Sequence, residues 1–476
     1  MTPTSCKYGG FLFYALANTE QASNKLPQNG KLIRSISNFC SFVKKLTSPY
    51  LLAVRTGAEI RFDHSAVLRL WQIAEDTQAG IVYSDYLIEK ENRILSRPLI
   101  DYQPGSIRSD FNFGYILLFS QAALRAALQK RGALPAEGNA VLYDLRLKIS
   151  INSPIVHLPE ALYTVAEKIA QPAKQDQAIA EPQFAYVAHK NLREQKMLEK
   201  IATRHLKSIS AYLKMRTQKT PEDSADYPVT ASVIIPVLNR KRTIAAAMES
   251  ALGQQTSFNY NIILVDNHST DGTTQIIKKF AARHPQIRHV IPARRGLHIG
   301  GCWNEGIYSP CCGRFAVQLD SDDLYCSPHS LQTIVDALQA GGKYAMVIGS
   351  YIIVNERLEK IPPGLVEHRE WTKANGHNNA LRINGLGAPR AFRTIVLRRL
   401  GFPNVSYGED YAVALRISRT YQIGRIYENL YLCRRWSDNT DAALSPEKQN
   451  DHDFYKDKLR TWEIQARQII NKSRQQ

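Results

Sequence analysis

The chain has 476 residues and a formal net charge of +18 at pH 7, from 61 Lys and Arg against 43 Asp and Glu. That length exceeds what one ordinary hydrophobic core accommodates and predicts two or three domains. The apolar share is 44%, but no run of eighteen apolar residues occurs, which excludes an obvious transmembrane helix. The positive charge favours phosphate-bearing ligands, nucleic acid or an anionic membrane surface, without choosing among them.

The start of the chain and its cysteines indicate a compartment. The first stretch, MTPTSCKYGGFLFYALANTEQ, has one lysine, a short apolar run and no convincing cleavage site, so we expect no signal peptide. The seven cysteines are sparse and odd in number, as in a reducing compartment. Cys302, Cys311, Cys312 and Cys326 form no CxxC pair, which favours small buried residues over a zinc site. We therefore expect a cytoplasmic protein, with peripheral contact at the inner face of the membrane left open.

The first half alternates short apolar strands with helical stretches, from Tyr50 to about Ala166. Residues 167–184 are polar, contain two prolines and predict a linker. The segment that follows the linker is basic and amphipathic, which predicts a helix that packs its apolar face on a domain. A helix that binds a membrane surface or nucleic acid is the alternative. Its apolar face is predicted to comprise Leu198, Ile201, Ala202, His205, Leu206, Ile209, Tyr212 and Leu213.

A second folded unit begins at Ala231. ASVIIPVLNR predicts a buried strand that ends near Pro236, and a helix follows over Arg242–Leu252. Three further strands are predicted in YNIILVD, IRHVIPA and RFAVQLD, and a helix starts near Thr273. This alternation predicts a parallel α/β sheet with helices on both faces.

Carboxylates stand where two of these strands end. Asp266 follows the second strand, and Asp320, Asp322 and Asp323 crowd the end of the fourth. Ligands bind beyond the carboxyl ends of strands in such sheets, and neighbouring carboxylates repel each other without a cation. Together with the Arg294–Arg295 pair, the pattern predicts a site for a phosphate-bearing ligand and a divalent metal. For Asp323, capping of the helix predicted in SPHSLQTIVDAL is the alternative.

Four motifs in order, SVIIPVLNR, ILVDNHSTDGT, LDSDD and YGEDY, resemble the nucleotide-sugar-dependent, inverting glycosyltransferases of family 2 over residues 231–440. The resemblance implies the GT-A fold and Mn2+ or Mg2+ held by Asp320 and Asp322. It implies Asp410 as general base, with Glu409 orienting the acceptor or its loop. The nucleotide would be bound by Pro236, Asn239, Asp266, Arg295, Asn304 and Asp320.

One departure from the family lies in YLCRRWSDNT. Trp436 stands where many relatives have a histidine, which leaves open whether the metal has a third protein ligand. Arg434 and Arg435 remain candidates for neutralising the diphosphate. On the acceptor side, the segment from Trp371 to Phe392 offers three candidates, which are Trp371, His377 and Arg390.

The first half resembles a partial copy of the second. With Tyr50 placed under Phe315, strand, helix and hairpin patterns follow in step, and the LDSDD carboxylates are replaced at Arg55, Thr56 and Gly57. VLYDLRLKIS parallels EDYAVALRIS, which puts Val141 and Leu142 where Glu409 and Asp410 stand. We expect a degenerate, non-catalytic GT-A-like module. Two unrelated α/β stretches are the alternative.

The predicted organisation is therefore a first module in 1–166, a linker and basic helix in 167–230, a catalytic α/β GT-A domain in 231–445 and a helical tail in 446–476. The favoured function is transfer of a sugar from a nucleotide-sugar donor, with UDP as the expected nucleotide, to a hydroxyl of a glycan or lipid-linked acceptor. The alternative is an inactive sugar-binding, nucleotide-binding or scaffold protein of the same fold. A nucleic-acid partner rests on charge alone, and we expect none.

Overall fold

The structure is a computed structural model that describes residues 5–8, 11–16, 31–32, 36–91, 93–130, 138–166, 192–215, 218–340, 342–369, 371–383, 385–436 and 444–474. The predicted linker of 167–184 lies outside these residues. The chain divides into two compact units. The first comprises Met1–Gln177, Arg193–Tyr212 and Leu444–Gln476, and the second comprises Ala178–Leu192 and Leu213–Ala443.

The first unit is built on two sheets. Its strands and helices before the C-terminal helix are β1 (Ser5–Tyr8), β2 (Phe11–Leu16), β3 (Lys31–Leu32), α1 (Ile36–Lys45), β4 (Tyr50–Arg55), β5 (Glu59–Arg61), α2 (His64–Thr77), β6 (Ile81–Ser84), β7 (Tyr86–Lys90), β8 (Arg93–Arg97), β9 (Ile116–Ser120), α3 (Gln121–Lys130), α4 (Gly138–Ile149), β10 (Ile155–Leu158), β11 (Thr164–Ala166) and α5 (Leu192–Ser208). The larger sheet has the order β10-β6-β9-β4-β2-β1-β3, and the smaller has β5-β11-β7-β8.

The remaining elements, in chain order, are β12 (Ala231–Val237), α6 (Ile244–Leu252), β13 (Tyr260–Asp266), α7 (Thr273–Arg283), β14 (Ile287–Val290), α8 (Ile299–Tyr308), β15 (Phe315–Gln318), β16 (Leu324–Tyr325), α9 (Ser330–Gln339), β17 (Tyr344–Val354), β18 (Lys360–Val366), α10 (Gly376–Asn379), β19 (Arg390–Arg393), α11 (Thr394–Leu400), α12 (Glu409–Ser418), β20 (Gln422–Arg434) and α13 (Pro446–Lys472). All but α13 belong to the second unit.

One sheet of order β14-β13-β12-β15-β19-β17-β20-β16 organises the second unit, with β18 paired to β17. β12, β13, β14 and β15 are parallel, as their continuous apolar runs predict. β19 runs antiparallel to both of its neighbours, β15 and β17. The expected α/β architecture is confirmed, although the sheet is mixed rather than wholly parallel.

The basic segment forms helix α5 and buries the predicted stripe of Leu198, Ile201, Ala202, His205 and Leu206. The predicted C-terminal helix is also present as α13, and it belongs to the first unit. Ser445 caps α13 by accepting a hydrogen bond from the Lys448 amide, and Pro446 occupies its first turn. None of the described helices combines the length and apolar character that crossing a bilayer requires.

Several side chains of α13 are charged and fully buried, so ion pairs balance them. Within the first unit, Arg108 lies 3.3 Å from both Asp453 and Asp457, and Arg460 lies 2.7 Å from Asp457. A buried charge without such a partner would be strongly destabilising. The first unit therefore depends on the end of the chain for its polar core.

Candidate active site

The carboxyl ends of β12, β13 and β15 lie side by side at one edge of the second unit's sheet. β12 pairs in parallel register with β13 on one side and β15 on the other. The loops after these strands therefore converge, as parallel sheets require. Asn239 follows β12, Asp266 is the last residue of β13 and Asp320 follows β15, so all three lie at the same edge.

Hydrogen bonds latch the loop after β12 to the loop after β13. The Asn239 side-chain oxygen accepts from the Thr270 amide at 2.8 Å, and the Asn239 amide donates to Ser269 Oγ at 3.0 Å. The Lys241 amide donates to Asp271 Oδ2 at 3.0 Å. Asn239 has φ of 54°, a left-handed conformation that asparagine tolerates better than most residues. Asn239 thus orders the loops of the predicted nucleotide site.

Asp266 is fully buried, and protein groups surround its carboxylate. Oδ1 accepts from the Ser269 amide at 3.0 Å, while Thr274 Oγ1 and His289 Nε2 lie 2.5 and 3.3 Å from Oδ2. Burial alone would raise the pKa of Asp266, but the hydrogen bonds from His289, Thr274 and Ser269 outweigh it and lower the pKa. Asp266 is therefore an ionised anchor of its loop. Sequence reasoning did not identify His289.

The two carboxylates of the Asp320–Asp322 pair differ in their surroundings. Gln318 Nε2 donates to both oxygens of Asp320, at 2.9 and 3.0 Å, and the Asp320 amide donates to the Tyr431 hydroxyl at 2.9 Å. Asp322 Oδ2 lies 3.8 Å from Arg240 Nε. Burial and then the charge of Asp320 raise the pKa of Asp322. Asp322 thus lies in surroundings that disfavour its charged form.

Asp323 has a structural contact that the sequence did not indicate. Its Oδ1 accepts from the Arg434 amide at 2.8 Å, and the helix it was expected to cap begins only at Ser330. The capping alternative for Asp323 was therefore wrong. Burial and repulsion from Asp322 and Asp320 raise the pKa of Asp323 well above its ordinary value. This side chain is a buried acid that joins the loop after β15 to the end of β20.

Glu409 and Asp410 open helix α12, directly after Gly408 with φ of 82°. Arg390 forms an ion pair with Asp410 Oδ2, and the Tyr411 amide donates to Asp410 Oδ1 at 2.7 Å. Glu409 is 8% exposed, and among the described residues no group contacts its Oε2 within hydrogen-bond distance. Burial and the charge of Asp410 raise the pKa of Glu409 to about 8. The two adjacent carboxyls thus differ in their surroundings: Asp410 has a cationic partner, whereas Glu409 is neutral at pH 7.

A side chain of α8 forms hydrogen bonds with the loop before α12. Asn304 Nδ2 donates to the Phe402 carbonyl at 2.9 Å, and the Phe402 amide donates to Asn304 Oδ1 at 2.8 Å. Asn304 therefore makes structural contacts, and its role toward a nucleotide stays a prediction. Arg294 and Arg295 lie exposed on the loop before α8. They are the residues of this segment that remain open to an anion.

The end of β20 returns to the Asp320–Asp322 loop. Arg434 Nε donates to the Asp322 carbonyl, and the Arg435 amide donates to the Val354 carbonyl at 2.7 Å. The guanidinium of Arg242 lies 5.2 Å from the centre of the Trp436 ring. Arg434 is therefore placed beside the predicted metal loop, and Trp436 supports Arg242 from the loop after β12.

The predicted acceptor residues fall into two places. Arg390 reaches Asp410 at the start of α12. Trp371 and His377 instead line a cavity of about 190 Å³ with Ser418, at the opposite end of the same helix. At a rise of about 1.5 Å per residue, Asp410 and Ser418 are about 12 Å apart along α12. The structure joins Arg390 to the predicted catalytic residue Asp410 and places Trp371 and His377 at the cavity instead.

Residues 232–400 match the family model for glycosyl transferase family 2. This segment of the chain is therefore similar to the glycosyl transferases of family 2. Among curated relatives, an uncharacterized glycosyltransferase from Nostoc sp. is 35% identical over 23% of this chain and 32% of its own length. Chondroitin synthase from Escherichia coli is 33% identical over 22% of this chain and 15% of its own length. The putative glycosyltransferase EpsE from Bacillus subtilis is 31% identical over 26% and 44%. The chain thus spans less than half the length of these relatives.

Solved structures show weaker similarity. S. aureus TarS residues 1–349, in complex with UDP-GlcNAc, is 20% identical over 49% of this chain and 66% of that chain, with a TM-score of 0.40. The mannosyltransferase PcManGT from Pyrobaculum calidifontis, in complex with GDP-Man and Mn2+, is 18% identical over 58% and 84%, with a TM-score of 0.35. Similarity at this level carries no conclusion about the ligands of this protein.

Proposed function

We propose that the second unit transfers a sugar from a nucleotide-sugar donor to a hydroxyl group, with inversion at the anomeric carbon. One observation carries the proposal: a chain of contacts links the carboxylates of two predicted motifs. Asp320 accepts from Gln318, Gln318 Oε1 accepts from the Arg390 amide at 3.1 Å, and Arg390 pairs with Asp410. A donor site and a candidate base are thus held in one rigid arrangement, as transfer between two substrates requires.

The donor would lie at the edge formed by β12, β13 and β15. Asp266 and Asn239 order the loops for the base and ribose, and Pro236 shapes the end of β12. The exposed Arg294–Arg295 pair offers charge for the phosphates. We propose a uridine nucleotide, as the family resemblance implies.

A divalent cation, Mn2+ or Mg2+, fits the Asp320–Asp322 pair. Carboxylate oxygens suit such hard cations, and the raised pKa of Asp322 reflects a shortage of positive charge that a cation would supply. Within the described part of the chain, no three His, Cys, Asp or Glu side chains cluster as a metal site. The protein would thus provide two carboxylates, and substrate and water oxygens the remaining ligands. When bound, the cation would offset the charge that develops on the leaving diphosphate.

The chain's own residues account for proton transfer. Asp410, paired with Arg390, would accept the proton of the acceptor hydroxyl as the donor bond breaks. Glu409 is neutral at pH 7, so it can donate a hydrogen bond to a substrate oxygen and does not compete as a base. A single displacement at the anomeric carbon inverts its configuration. The acceptor would be a glycan or a lipid-linked sugar, and contact with a membrane surface would follow from the latter.

Ligand binding by the full chain tests the donor site. Thermal melting with UDP or GDP should show a rise in Tm that requires Mn2+ or Mg2+, because a ligand that binds only the folded state stabilises it. Asp322→Ala should lose the metal-dependent rise and all transfer. Asp336→Ala, which removes an exposed carboxylate of α9, is the matched control and should behave as wild type. Metal-dependent binding at wild-type strength in Asp322→Ala would contradict the assignment.

A further inference from the structure

Arg390 occupies a constrained position at the start of β19. The preceding turn contains Gly387 with φ of +91°, where an added Cβ would come within 2.5 Å of the His368 ring. Arg390 Nη1 donates to the Gly387 carbonyl at 2.8 Å as well as pairing with Asp410. The arginine side chain is 16% exposed. The turn therefore determines where the guanidinium points, and it points at Asp410.

Acidic and hydroxyl groups from three other elements surround this guanidinium. Asp410 and Glu409 approach from α12, Asp320 from the loop after β15, and Tyr431 from β20, and their charges raise the pKa of Arg390 against the opposing effect of burial. Arg390 forms its ion pair with Asp410, whose side chain is 25% exposed. Each carboxylate oxygen has two lone pairs, so Asp410 can still accept a hydrogen bond from a substrate hydroxyl.

In the first unit, neither member of the Arg390–Asp410 pair has a charged counterpart at the equivalent position. Leu118 pairs with Leu52 in β9 and β4 as Ala391 pairs with Val317 in β19 and β15. The position before Leu118, equivalent to Arg390, is Leu117. The position equivalent to Asp410 is Leu142 in α4. Arginine and aspartate therefore occur together in one unit, and leucines replace them in the other.

We propose that Arg390 is a positioning residue for transfer: it selects Asp410 over Glu409 as the base and aims the Asp410 carboxylate at the acceptor hydroxyl. This role rests on the proposed glycosyltransferase function. A guanidinium in a fixed planar geometry is suited to this task, whereas a flexible ammonium group holds the charge but less of the orientation.

The ion pair is tested first, by a measurement that needs no activity. Thermal melting of full-length Arg390→Met, Asp410→Asn and the double variant forms a double-mutant cycle. Arg390→Met leaves Asp410 without its partner and should melt lower than wild type. Adding Asp410→Asn should recover part of that loss. Strictly additive changes in Tm would overturn the pairing.

Kinetics then separate positioning from donor binding. The probe is the hydrolysis of whichever of UDP-glucose, UDP-galactose, UDP-GlcNAc and UDP-GalNAc the wild type turns over fastest with Mn2+. Arg390→Met should lower kcat by about 10²-fold, the usual cost of a misplaced reacting group, with KM for the donor unchanged. Arg390→Lys should recover part of kcat. The acid limb of the pH–rate profile should move to higher pH in Arg390→Met, because Asp410 loses a stabilising cation.

Arg393, on the same strand, provides the matched control. It donates to the carbonyls of Tyr344 and Leu338 and does not reach the carboxylates in the described contacts. Arg393→Met should lower Tm but leave kcat per folded molecule and the acid limb unchanged. If Arg390→Met raises KM with kcat intact, Arg390 belongs to the donor site and the positioning role is wrong. If the wild type neither binds UDP nor hydrolyses any of the four donors, the proposed function fails and the catalytic role of Arg390 with it, while the melting cycle still reports the ion pair.

Discussion

The strands β4, β9, β6 and β10 of the first unit and β15, β19, β17 and β20 of the second have the same order and the same relative directions. The register also matches. Leu51 and Ile81 both pair with Phe119, as Ala316 and Met346 both pair with Phe392. Strands that match in both order and register are difficult to explain by two unrelated α/β stretches. We propose that the first unit is a partial copy of the second.

Side-chain hydrogen bonds support the same alignment. The Tyr143 hydroxyl donates to the Ile107 carbonyl at 2.7 Å, and the Tyr411 hydroxyl donates to the Ala380 carbonyl at 2.5 Å. Each tyrosine lies in the corresponding helix, α4 or α12. Each acceptor carbonyl lies ten residues before the aligned strand position, Leu117 or Arg390. The framework of these elements is therefore the same with and without catalytic carboxylates.

The difference lies on the other side of the shared strands. In the second unit, the parallel strands β12, β13 and β14 lie beside β15 in the sheet. In the first unit, the antiparallel strand β2 lies beside β4. Among its described residues, the first unit thus has no counterpart of the parallel edge at which Asp266 and Asn239 order their loops. It also has Arg55 in place of the first carboxylate of the LDSDD motif. Fold and chemistry are separable here, since the chemistry depends on a few loop residues and one sheet edge.

The largest expected effect concerns Asp410, which the first unit replaces by leucine. Asp410→Asn is nearly isosteric, so donor binding should persist while turnover falls by roughly 10²–10⁴-fold, the usual scale of a lost general base. Calorimetry with UDP and Mn2+, together with donor turnover, measures both. A loss of nucleotide affinity with intact turnover of the bound complex would move Asp410 from catalysis to the donor site.

A pH-dependent effect should follow from Glu409, which the first unit replaces by valine. Its pKa of about 8 lies above that of an unfolded glutamate. The folded chain therefore retains a proton that the unfolded chain releases between about pH 4.5 and pH 8. Stability contributed by this proton is complete below that window and is lost as pH rises through it. Glu409→Gln should thus gain stability relative to wild type by roughly 2–4 kcal/mol from pH 5 to pH 8.

Urea denaturation at the two pH values checks the Glu409 effect. The exposed Glu249→Gln serves as control and should change little between them. A stability difference between Glu409→Gln and wild type that does not vary with pH would show that Glu409 is charged in the folded chain.

The smallest effect compares the two matched tyrosines. Tyr143→Phe and Tyr411→Phe each leave a buried carbonyl without its donor, which should cost about 1–3 kcal/mol of unfolding free energy in either unit. Only Tyr411→Phe should also reduce turnover, because Tyr411 directly follows Asp410. Urea denaturation and donor turnover of both variants provide the measurements. A turnover loss in Tyr143→Phe as large as that in Tyr411→Phe would contradict a non-catalytic first unit.

Much of the second unit followed from local sequence. Continuous apolar runs predicted β12, β13 and β15, because strands buried on both faces leave no room for alternation. The polar turn after Asp266 and the carboxylates after β15 then indicated a site at one sheet edge, because parallel strands end at the same edge. The sequence also predicted an internal repeat, since Tyr143 and Tyr411 lie in segments of matching pattern.

What the sequence did not reveal depends on contacts between distant residues. The partner of Asp410 is Arg390, twenty residues earlier on another element, and only the folded second unit brings them together. The same is true of Asp323 with Arg434 and of His289 with Asp266. Local patterns predict elements and their ends because these depend on neighbouring residues. The ionisation of a carboxyl depends on burial and on the charges around it, and these are decided only when the sheet assembles.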